Sequence, residues 1–230
     1  MSIFELQRVA EPEVMDDSAE VEAYSSAAAQ SHLNDIDDTF VDHATRLVNK
    51  RERGRALDIG TGPGQIVLKL ARRLTRWKFI GVDRSPNMIA QGIAGLAPST
   101  EVAGRVHFYI ADGNQIPFCD GSFDLVACNS VLHHFADPQK LLAEIARLAK
   151  PESAILLRDL RRPSRLAYPL HVRRHGRHYQ GLMYKLYCDS VRSAYTVEEL
   201  QRLLGSSPLK GARIFEHNHT HIGIERPISS

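Results

Sequence analysis

Short apolar runs alternate with amphipathic stretches along most of this 230-residue chain. The runs are typical of buried strands, and the stretches between them repeat apolar residues at the spacing of a helix. Strands and helices that alternate in this way form a parallel sheet covered on both faces. We therefore predict an α/β protein with a doubly wound, mostly parallel sheet. The predicted strands lie near 55–59, 77–82, 105–110, 123–128 and 153–160, and the predicted helices near 64–74, 86–96 and 137–149.

The last part of the chain adds two further apolar runs, near 211–217 and 219–225. We expect them to complete the sheet with an antiparallel C-terminal edge strand. The sequence contains no internal repeat and no low-complexity linker. We therefore predict one sheet domain over 51–230, preceded by a helical cap over 1–50. The segment at about 161–205 precedes the last two strands, and we expect it to form a lid that carries specificity.

The predicted turn between the first strand and the first helix contains three glycines at alternate positions, Gly60, Gly62 and Gly64. Glycine adopts backbone conformations that other residues avoid, and it lets a ligand approach where a Cβ would collide. The free N–H groups at the start of the following helix point into the same space. We infer that a flat or polar ligand binds at this turn.

The spacing around the turn narrows the choice of ligand. The pattern Gly-x-Gly-x-Gly, with Pro63 inside it, differs from the Gly-x-Gly-x-x-Gly of dinucleotide sites, and it lacks the Gly-Lys-Ser/Thr of a P-loop. The next predicted strand is followed by Asp83, twenty-three residues after Gly60. A carboxylate at that place can accept hydrogen bonds from both hydroxyls of a ribose. The turn and this acid together indicate a ligand that contains a ribose.

Four motifs follow one another in the order found in a known enzyme family. They are LDIGTGPG at 57–64, GVDRSPNMI at 81–89, IADGNQIPF at 110–118 and FDLVACNSVLHHF at 123–135. With them the chain resembles the class I S-adenosylmethionine-dependent methyltransferases over about residues 50–160. The fourth motif is similar to that of small-molecule methyltransferases, with the quinone-biosynthesis group as the best-known example. The segments 11–17 and 159–163 look like those of a bacterial subgroup.

The resemblance implies a Rossmann-like sheet, S-adenosyl-L-methionine as cofactor, and roles for particular residues. The glycines of the first motif would line the methionine part, Asp83 would hold the ribose, and Met88 would lie on the adenine. Asp112 would accept a hydrogen bond from the adenine amino group. Apart from the resemblance, Tyr24 could fold over the cofactor from the N-terminal helix, or it could be a packing aromatic on that helix. The predicted cofactor-binding residues are Tyr24, Asp58, Gly60, Thr61, Gly62, Gly64, Asp83, Arg84, Met88, Asp112, Gly113 and Asn129.

Methyl transfer from an activated sulfonium requires mainly orientation and exclusion of water, and a base only where the acceptor arrives protonated. Ligands of such sheets bind beyond the carboxyl ends of the central strands. Asn129, His133 and His134 follow the fourth predicted strand and qualify as candidate catalytic residues. His134 is the first choice. The alternative to a catalytic role is a structural one. Either histidine could cap a helix, or its partly buried imidazole could have all its hydrogen bonds satisfied within the protein.

The charges are distributed unevenly along the chain. Residues 1–50 contain eleven acidic residues against three basic ones, whereas 158–178 contain seven arginines against one aspartate. The acidic and basic segments could simply form two solvent-exposed faces. The arginines of 158–178 could also neutralise the acidic residues of the helical cap. The alternative is that the basic insert, with its interleaved tyrosines, binds an anionic substrate, a membrane surface or RNA. No recognisable RNA-binding module is present, so we do not expect nucleic acid as the partner.

Near the C-terminus, His217, His219 and His221 alternate, which would place them on one face of a strand. Such spacing can bind a metal, but an edge strand facing water needs none, and we predict no metal site. No apolar run is long enough to span a membrane, and the N-terminus does not resemble a secretory signal. Three widely spaced cysteines suit a reducing compartment. We expect a cytoplasmic protein.

The predicted function is therefore methyl transfer from S-adenosylmethionine to a small-molecule acceptor. Two alternatives remain open, an RNA methyltransferase that uses the arginine-rich insert and a protein that binds the cofactor without turnover. An open pocket that reaches the sulfonium would favour an enzyme, and a plugged pocket would favour a binder. The sequence predicts neither the acceptor atom nor the oligomeric state.

Overall fold

The structure, a computed structural model, describes residues 5–11, 16–28 and 31–228. Its strands are β1 (Gly54–Ile59), β2 (Trp77–Asp83), β3 (Val106–Ile110), β4 (Phe123–Asn129), β5 (Ala149–Leu160), β6 (Arg213–His217) and β7 (His221–Arg226). They form one sheet in the order β3-β2-β1-β4-β5-β7-β6. Neighbouring strands pair in parallel except at β7, which is antiparallel to both β5 and β6. The predicted fold class is confirmed.

The described residues also form eight α-helices. They are α1 (Ser18–Ala28), α2 (Ser31–Leu47), α3 (Gln65–Arg73), α4 (Pro86–Leu96), α5 (Pro138–Leu148), α6 (Tyr168–His175), α7 (Gly181–Ser193) and α8 (Val197–Gly205). Local sequence explains where several begin. Ser85 caps α4 by accepting the N–H of Met88, and Asp137 caps α5 by accepting the N–H of Gln139, each with a proline in the first turn.

The centre of the sheet is the point at which the strand order reverses. β1 lies between β2 and β4, and Ile59 at its end pairs with Val82 on one side and Cys128 on the other. The carboxyl ends of the three strands are therefore level. Ligands of open α/β sheets bind in the crevice at this reversal, so the fold places the glycine turn, Asp83 and Asn129 around one crevice.

Two apolar layers cover the faces of the sheet. One contains Leu141 of α5 and Leu200 of α8, both fully buried, and the other contains Phe40 of α2 and Trp77. Within the segment 161–205, α8 thus packs against the sheet, whereas α6 and α7 lie outside these layers. The bounds of the cap and the lid stay a prediction. Residues 12–15 of the segment 11–17 lie outside the described residues.

The prediction that three alternating histidines share one strand face is wrong. His217 ends β6 and His221 begins β7, and the two pair across a hairpin. His219 is exposed in the turn between them, where Asn218 and His219 have φ values of 49° and 58°. Alternation of residue types cannot distinguish a continuous strand from a hairpin whose turn is also polar.

The arginine-rich run does not form one continuous basic surface. Arg158 and Arg162 are only 2% and 3% exposed, and Arg161 pairs with Glu216. Arg162 donates to the carbonyl oxygen of Leu6 and to the carboxylate of Glu199. The exposed arginines of the run are Arg165, Arg173, Arg174 and Arg177. In the part of the chain described, no helix is long and apolar enough to cross a membrane.

Candidate functional site

A cavity of about 120 Å³ lies beyond the carboxyl ends of β1, β2 and β4. Most of the residues predicted to bind the cofactor line its wall. They are Tyr24, Gly60, Gly62, Asp83, Arg84, Met88, Asp112, Gly113 and Asn129. We call this space the cofactor cavity. Several of its other lining residues were not predicted from the sequence, among them Ala111, Asn114, Ser130, Val131 and Phe135.

The glycine turn forms one end of the cofactor cavity. Gly60 and Gly62 have φ values of 68° and 53°, in the left-handed region that favours glycine. The N–H of Gly60 donates to the carbonyl oxygen of Val82 at 2.8 Å, which joins the turn to β2. A Cβ on Gly60 would lie 2.5 Å from a methyl group of Val131. The turn therefore depends on glycine both for its backbone conformation and for its close packing.

Asp83 connects the turn to the start of α4. One carboxylate oxygen accepts the N–H of Gly62 and the other accepts the N–H of Ser85, each at 2.9 Å. Burial raises the pKa of Asp83, whereas these backbone hydrogen bonds act against that shift. The carboxylate also borders the cofactor cavity. The backbone of Arg84 also donates to this carboxylate, whose two oxygens offer about four lone-pair positions, so a position remains for a hydroxyl of a ligand.

Three of the predicted cofactor residues lie outside the cofactor cavity. Asp58 and Thr61 line a smaller cleft beside the turn, together with Gly60, Tyr24 and Asn129. Burial raises the pKa of Asp58 to about 7. Gly64 caps α3, and a Cβ there would lie 2.5 Å from the ring of Phe108. Phe108 therefore leaves no room for a side chain at Gly64, which packs the helix against the sheet.

A second and larger cavity of about 430 Å³ adjoins the first. Tyr24, Asn129, Ser130 and His134 line both cavities. The remaining walls come largely from α2, α7 and the β6–β7 hairpin. The cavity is rich in histidine and tyrosine, with His32, His133, His134, His175, His217, His221, Tyr24, Tyr179 and Tyr187 among its lining residues. We call it the acceptor cavity, after the small-molecule acceptor that the sequence predicts beside the cofactor.

Four of these histidines, His32, His175, His217 and His221, have lowered pKa values. Burial is the main cause for all four, and it takes the pKa of His221 to about 3. Burial also raises the pKa of Asp37, in the same wall, to about 6. The lowered pKa values favour the uncharged form of these histidines at neutral pH, whereas a carboxyl group with a pKa of about 6 is mostly ionised. This part of the acceptor cavity therefore offers neutral hydrogen-bonding groups, aromatic rings and the negative charge of Asp37.

Asn129 is held at the border of the two cavities by a buried arginine. Its side-chain oxygen accepts from Arg158 Nε at 3.0 Å. Arg158 also donates to Thr39 Oγ1 at 2.7 Å and to the carbonyl oxygen of Ile36 at 3.1 Å. These bonds tie β5 to α2 and orient the Asn129 amide. From the sequence, Arg158 was predicted only as part of a basic run. Its contacts with Asn129 and α2 depend on the packing of α2 against β5, which the sequence does not show.

His133 and His134 lie in a short 3₁₀ helix, Leu132–His134, directly after β4. His134 borders both cavities, and His133 borders the acceptor cavity. The Nδ1 atom of His133 is 2.6 Å from Asp159 Oδ1. Burial acts to lower the pKa of His133, but Asp159 and Glu11 raise it above the ordinary value. Sequence analysis selected neither Glu11 nor Asp159 as a site residue, because both lie far from the histidines in sequence.

The chain is similar to known methyltransferases. The family model Methyltransf_31, a methyltransferase domain, matches residues 50–206. The chain belongs to this methyltransferase family. The ubiquinone/menaquinone biosynthesis C-methyltransferase UbiE of Geobacter sulfurreducens is 31% identical over 199 residues, which cover 82% of this chain and 76% of the relative. The predicted class, an S-adenosylmethionine-dependent methyltransferase with relatives in quinone biosynthesis, is confirmed.

Other matches of this methyltransferase are less extensive or more distant. The chain spans about half of the uncharacterized methyltransferase YcgJ of Bacillus subtilis, which is 32% identical over 135 residues covering 54% of this chain and 52% of the relative. The plantazolicin methyltransferase BpumL, solved with S-adenosylhomocysteine (SAH), has a TM-score of 0.70 at 15% identity, covering 93% of this chain and 91% of BpumL. At that identity the similarity to BpumL shows a common fold.

Proposed function

We propose that this methyltransferase transfers a methyl group from S-adenosylmethionine to a small, uncharged, partly aromatic acceptor bound in the acceptor cavity. The observation that carries the proposal is the wall shared by the two cavities, formed by Tyr24, Asn129, Ser130 and His134. Bound S-adenosylmethionine supplies a sulfonium methyl group that is already activated for transfer. The protein then has to orient an acceptor and exclude water.

The residues of the cofactor cavity fit the cofactor expected there. The glycine turn leaves room for close approach at Gly62, where the nearest neighbour of an added Cβ is the Tyr24 ring at 3.9 Å, and Asp83 retains a lone pair suited to a ribose hydroxyl. Met88 offers an apolar surface for the adenine, and Asp112 a carboxylate for its amino group. Asp58 and Thr61 would support the methionine part from the adjacent cleft, and Arg84 and Gly113 would complete the wall.

The acceptor cavity supports the acceptor class. The uncharged histidines and the tyrosine rings of its wall favour a neutral, flat molecule, and the carboxylate of Asp37 disfavours a free anion. The relative UbiE is by name a C-methyltransferase of ubiquinone and menaquinone biosynthesis, which agrees with a flat acceptor. We propose that His134 and Asn129 contact the acceptor, and that Arg158 acts as a positioning residue through Asn129. Because the acceptor cavity adjoins the cofactor cavity, the site favours an enzyme over a protein that only binds the cofactor.

Replacing Asp83 by alanine should weaken SAH binding by about 1.5–3 kcal/mol, or roughly 10–150-fold, because hydrogen bonds to a charged acceptor are lost. Calorimetry with SAH measures the change, and the wild-type protein should bind SAH but show no detectable affinity for NAD. Asp42→Ala is the matched control, since Asp42 is exposed and pairs with Arg73 away from the cavity. Wild-type affinity in Asp83→Ala would exclude Asp83 as the ribose ligand.

The acceptor class is tested by measuring SAH formation with a panel of phenols, quinols and heteroaromatic compounds, and with total RNA. We expect turnover with members of the panel and none with RNA. Weak, non-specific RNA binding should remain at physiological salt, because four exposed arginines attract phosphates. Specific RNA binding with a steep negative salt slope, lost when Arg173, Arg174 and Arg177 are changed to alanine, would overturn the small-molecule proposal.

A further inference from the structure

Three potential metal ligands converge at the wall of the acceptor cavity. Glu11 Oε2 lies 3.6 Å from His133 Nε2 and 3.9 Å from His134 Nδ1. One ligand atom from each of the three residues falls within 4.8 Å of the others. The three residues come from the N-terminal segment and from the 3₁₀ helix after β4. We call this group the Glu11 cluster.

The two ring nitrogens of His133 have different surroundings. The Nδ1 atom lies 2.6 Å from Asp159 Oδ1, and the carboxylate of Asp159 also accepts the backbone N–H groups of His133 and Leu160 at 2.9 Å and 2.7 Å. The Nε2 atom is buried, the side chain being 2% exposed, and has no hydrogen-bond partner among the described residues. A carboxylate behind a histidine is the usual arrangement of a metal-binding imidazole, because it fixes the ring and directs the other nitrogen to the ion.

The carboxylate of Glu11 is held in place by α7. Ser193 Oγ donates to Glu11 Oε2 at 3.0 Å, and Ser190 Oγ donates to Glu11 Oε1 at 3.2 Å. The segment before it is anchored too, since Arg8 donates to the carbonyl oxygens of Ser193 and His133 at 2.6 Å and 3.0 Å. Glu11 is only 7% exposed. The third ligand of the cluster is therefore oriented by hydrogen bonds before any ion binds.

We propose that Glu11, His133 and His134 bind a divalent first-row transition metal ion of the zinc or iron class. Two imidazoles and one carboxylate form the ligand set of many catalytic zinc and non-haem iron sites, which keep further coordination positions open. His133 and His134 both line the acceptor cavity, and His134 also lines the cofactor cavity. If the proposed function holds, the open positions take an oxygen, nitrogen or sulfur atom of the acceptor. The metal would then lower the pKa of that atom and hold it near the methyl group.

The prediction of no metal site concerned the alternating histidines at 217–221 and three widely spaced cysteines, and the Glu11 cluster includes none of them. The same residues could instead form an ionic group without metal, in which a protonated His133 lies between two carboxylates. The 3.6 Å separation between Glu11 Oε2 and His133 Nε2 exceeds hydrogen-bond distance, which leaves that nitrogen unsatisfied in such a group. A metal ion would satisfy it.

The experiment is a titration of the full-length, chelator-treated protein with Co²⁺, followed by the d–d absorption of the ion, and then displacement by Zn²⁺. Wild-type protein should show one saturable site. Glu11→Gln and His134→Asn should lose it, and Asp159→Asn should weaken it by about 10–100-fold. His217→Asn is the matched control, because His217 lines the same cavity but lies outside the Glu11 cluster. It should bind Co²⁺ as the wild type does.

Calorimetry with SAH shows whether Glu11→Gln and Asp159→Asn are folded, because neither residue lines the cofactor cavity. His134 does line it, so the folding of His134→Asn is checked by urea denaturation. Absence of a saturable Co²⁺ site in the wild type, or its loss in His217→Asn rather than in Glu11→Gln, would overturn the metal proposal. Neither measurement needs an acceptor. A protein that binds SAH but not Co²⁺ would therefore contradict this inference alone and leave the proposed methyl transfer standing.

Discussion

Replacing His134 by alanine should lower kcat by about 10²-fold or more while the affinity for SAH stays close to that of the wild type. His134 borders both cavities, and its side chain remains 18% exposed. His134 acts on the acceptor, either directly or through the proposed metal ion, and not on the nucleoside of the cofactor. Its removal should therefore affect turnover and leave cofactor affinity unchanged. A proton-accepting or metal-binding group in that place typically contributes at least this factor.

Steady-state kinetics with an acceptor found in the panel, together with SAH calorimetry, test this expectation. His107→Ala is a suitable control, since His107 is exposed on the edge strand β3, away from the acceptor cavity. Its kcat should not change. If His134→Ala retained wild-type turnover, the reacting group would lie elsewhere on the shared wall, with Asn129 the next residue to replace. If it lost SAH binding instead, His134 would belong to the cofactor site.

Trp77→Ala should lower the free energy of unfolding by about 3–5 kcal/mol, the range found when a large buried aromatic side chain is removed. Trp77 begins β2 and is only 1% exposed. Its ring packs so closely on Gly54 that a Cβ there would lie 2.6 Å from it, and its indole N–H donates to the carbonyl oxygen of Arg51 at 3.3 Å. Truncation would therefore leave a cavity and an unsatisfied carbonyl group.

Urea denaturation measures this decrease in the free energy of unfolding. The comparison is valid if the dependence of that free energy on urea concentration has the same slope in both proteins. Leu166→Ala is the control, because Leu166 is 72% exposed and its removal should change stability by no more than about 0.5 kcal/mol. The folded fraction of Trp77→Ala should still bind SAH, since Trp77 lies outside the cofactor cavity. A decrease in the free energy of unfolding of less than about 1 kcal/mol would contradict this expectation. It would mean that neighbouring side chains move in to fill the cavity left by the indole.

The regular elements followed the sequence closely, and the departures have local causes. Helix α4 spans the predicted range 86–96, and α5 begins at Pro138 behind its aspartate cap. Strand β5 begins earlier than predicted, because Ala149 pairs with Phe123 across an irregularity in the register with β4. Periodicity and capping depend on neighbouring residues, so they can be read along the chain. An irregular strand pairing also depends on the partner strand, so it cannot be predicted from neighbouring residues alone.

Charge and residue type were less reliable guides than periodicity. Arg158 and Arg162 belong to the same basic run as exposed Arg173, yet burial and buried hydrogen bonds remove them from any surface. The sequence shows that these two residues are charged, but it does not show that they are buried. The same is true of His219, which alternates with two histidines in sequence and lies in a turn in the structure. A pattern of residue types predicts a face only where the element is continuous.

By itself the sequence determined the order of strands and helices, the glycine turn and the acid that follows β2, because each depends on contiguous residues and on the local conformations they favour. Only the tertiary structure decided that Glu11 and Asp159 reach His133, that Arg158 holds Asn129, and that a second cavity adjoins the first. Those contacts join segments far apart in the chain, and they form when the helices pack over the carboxyl ends of the strands. Their geometry depends on that packing, which no local pattern encodes.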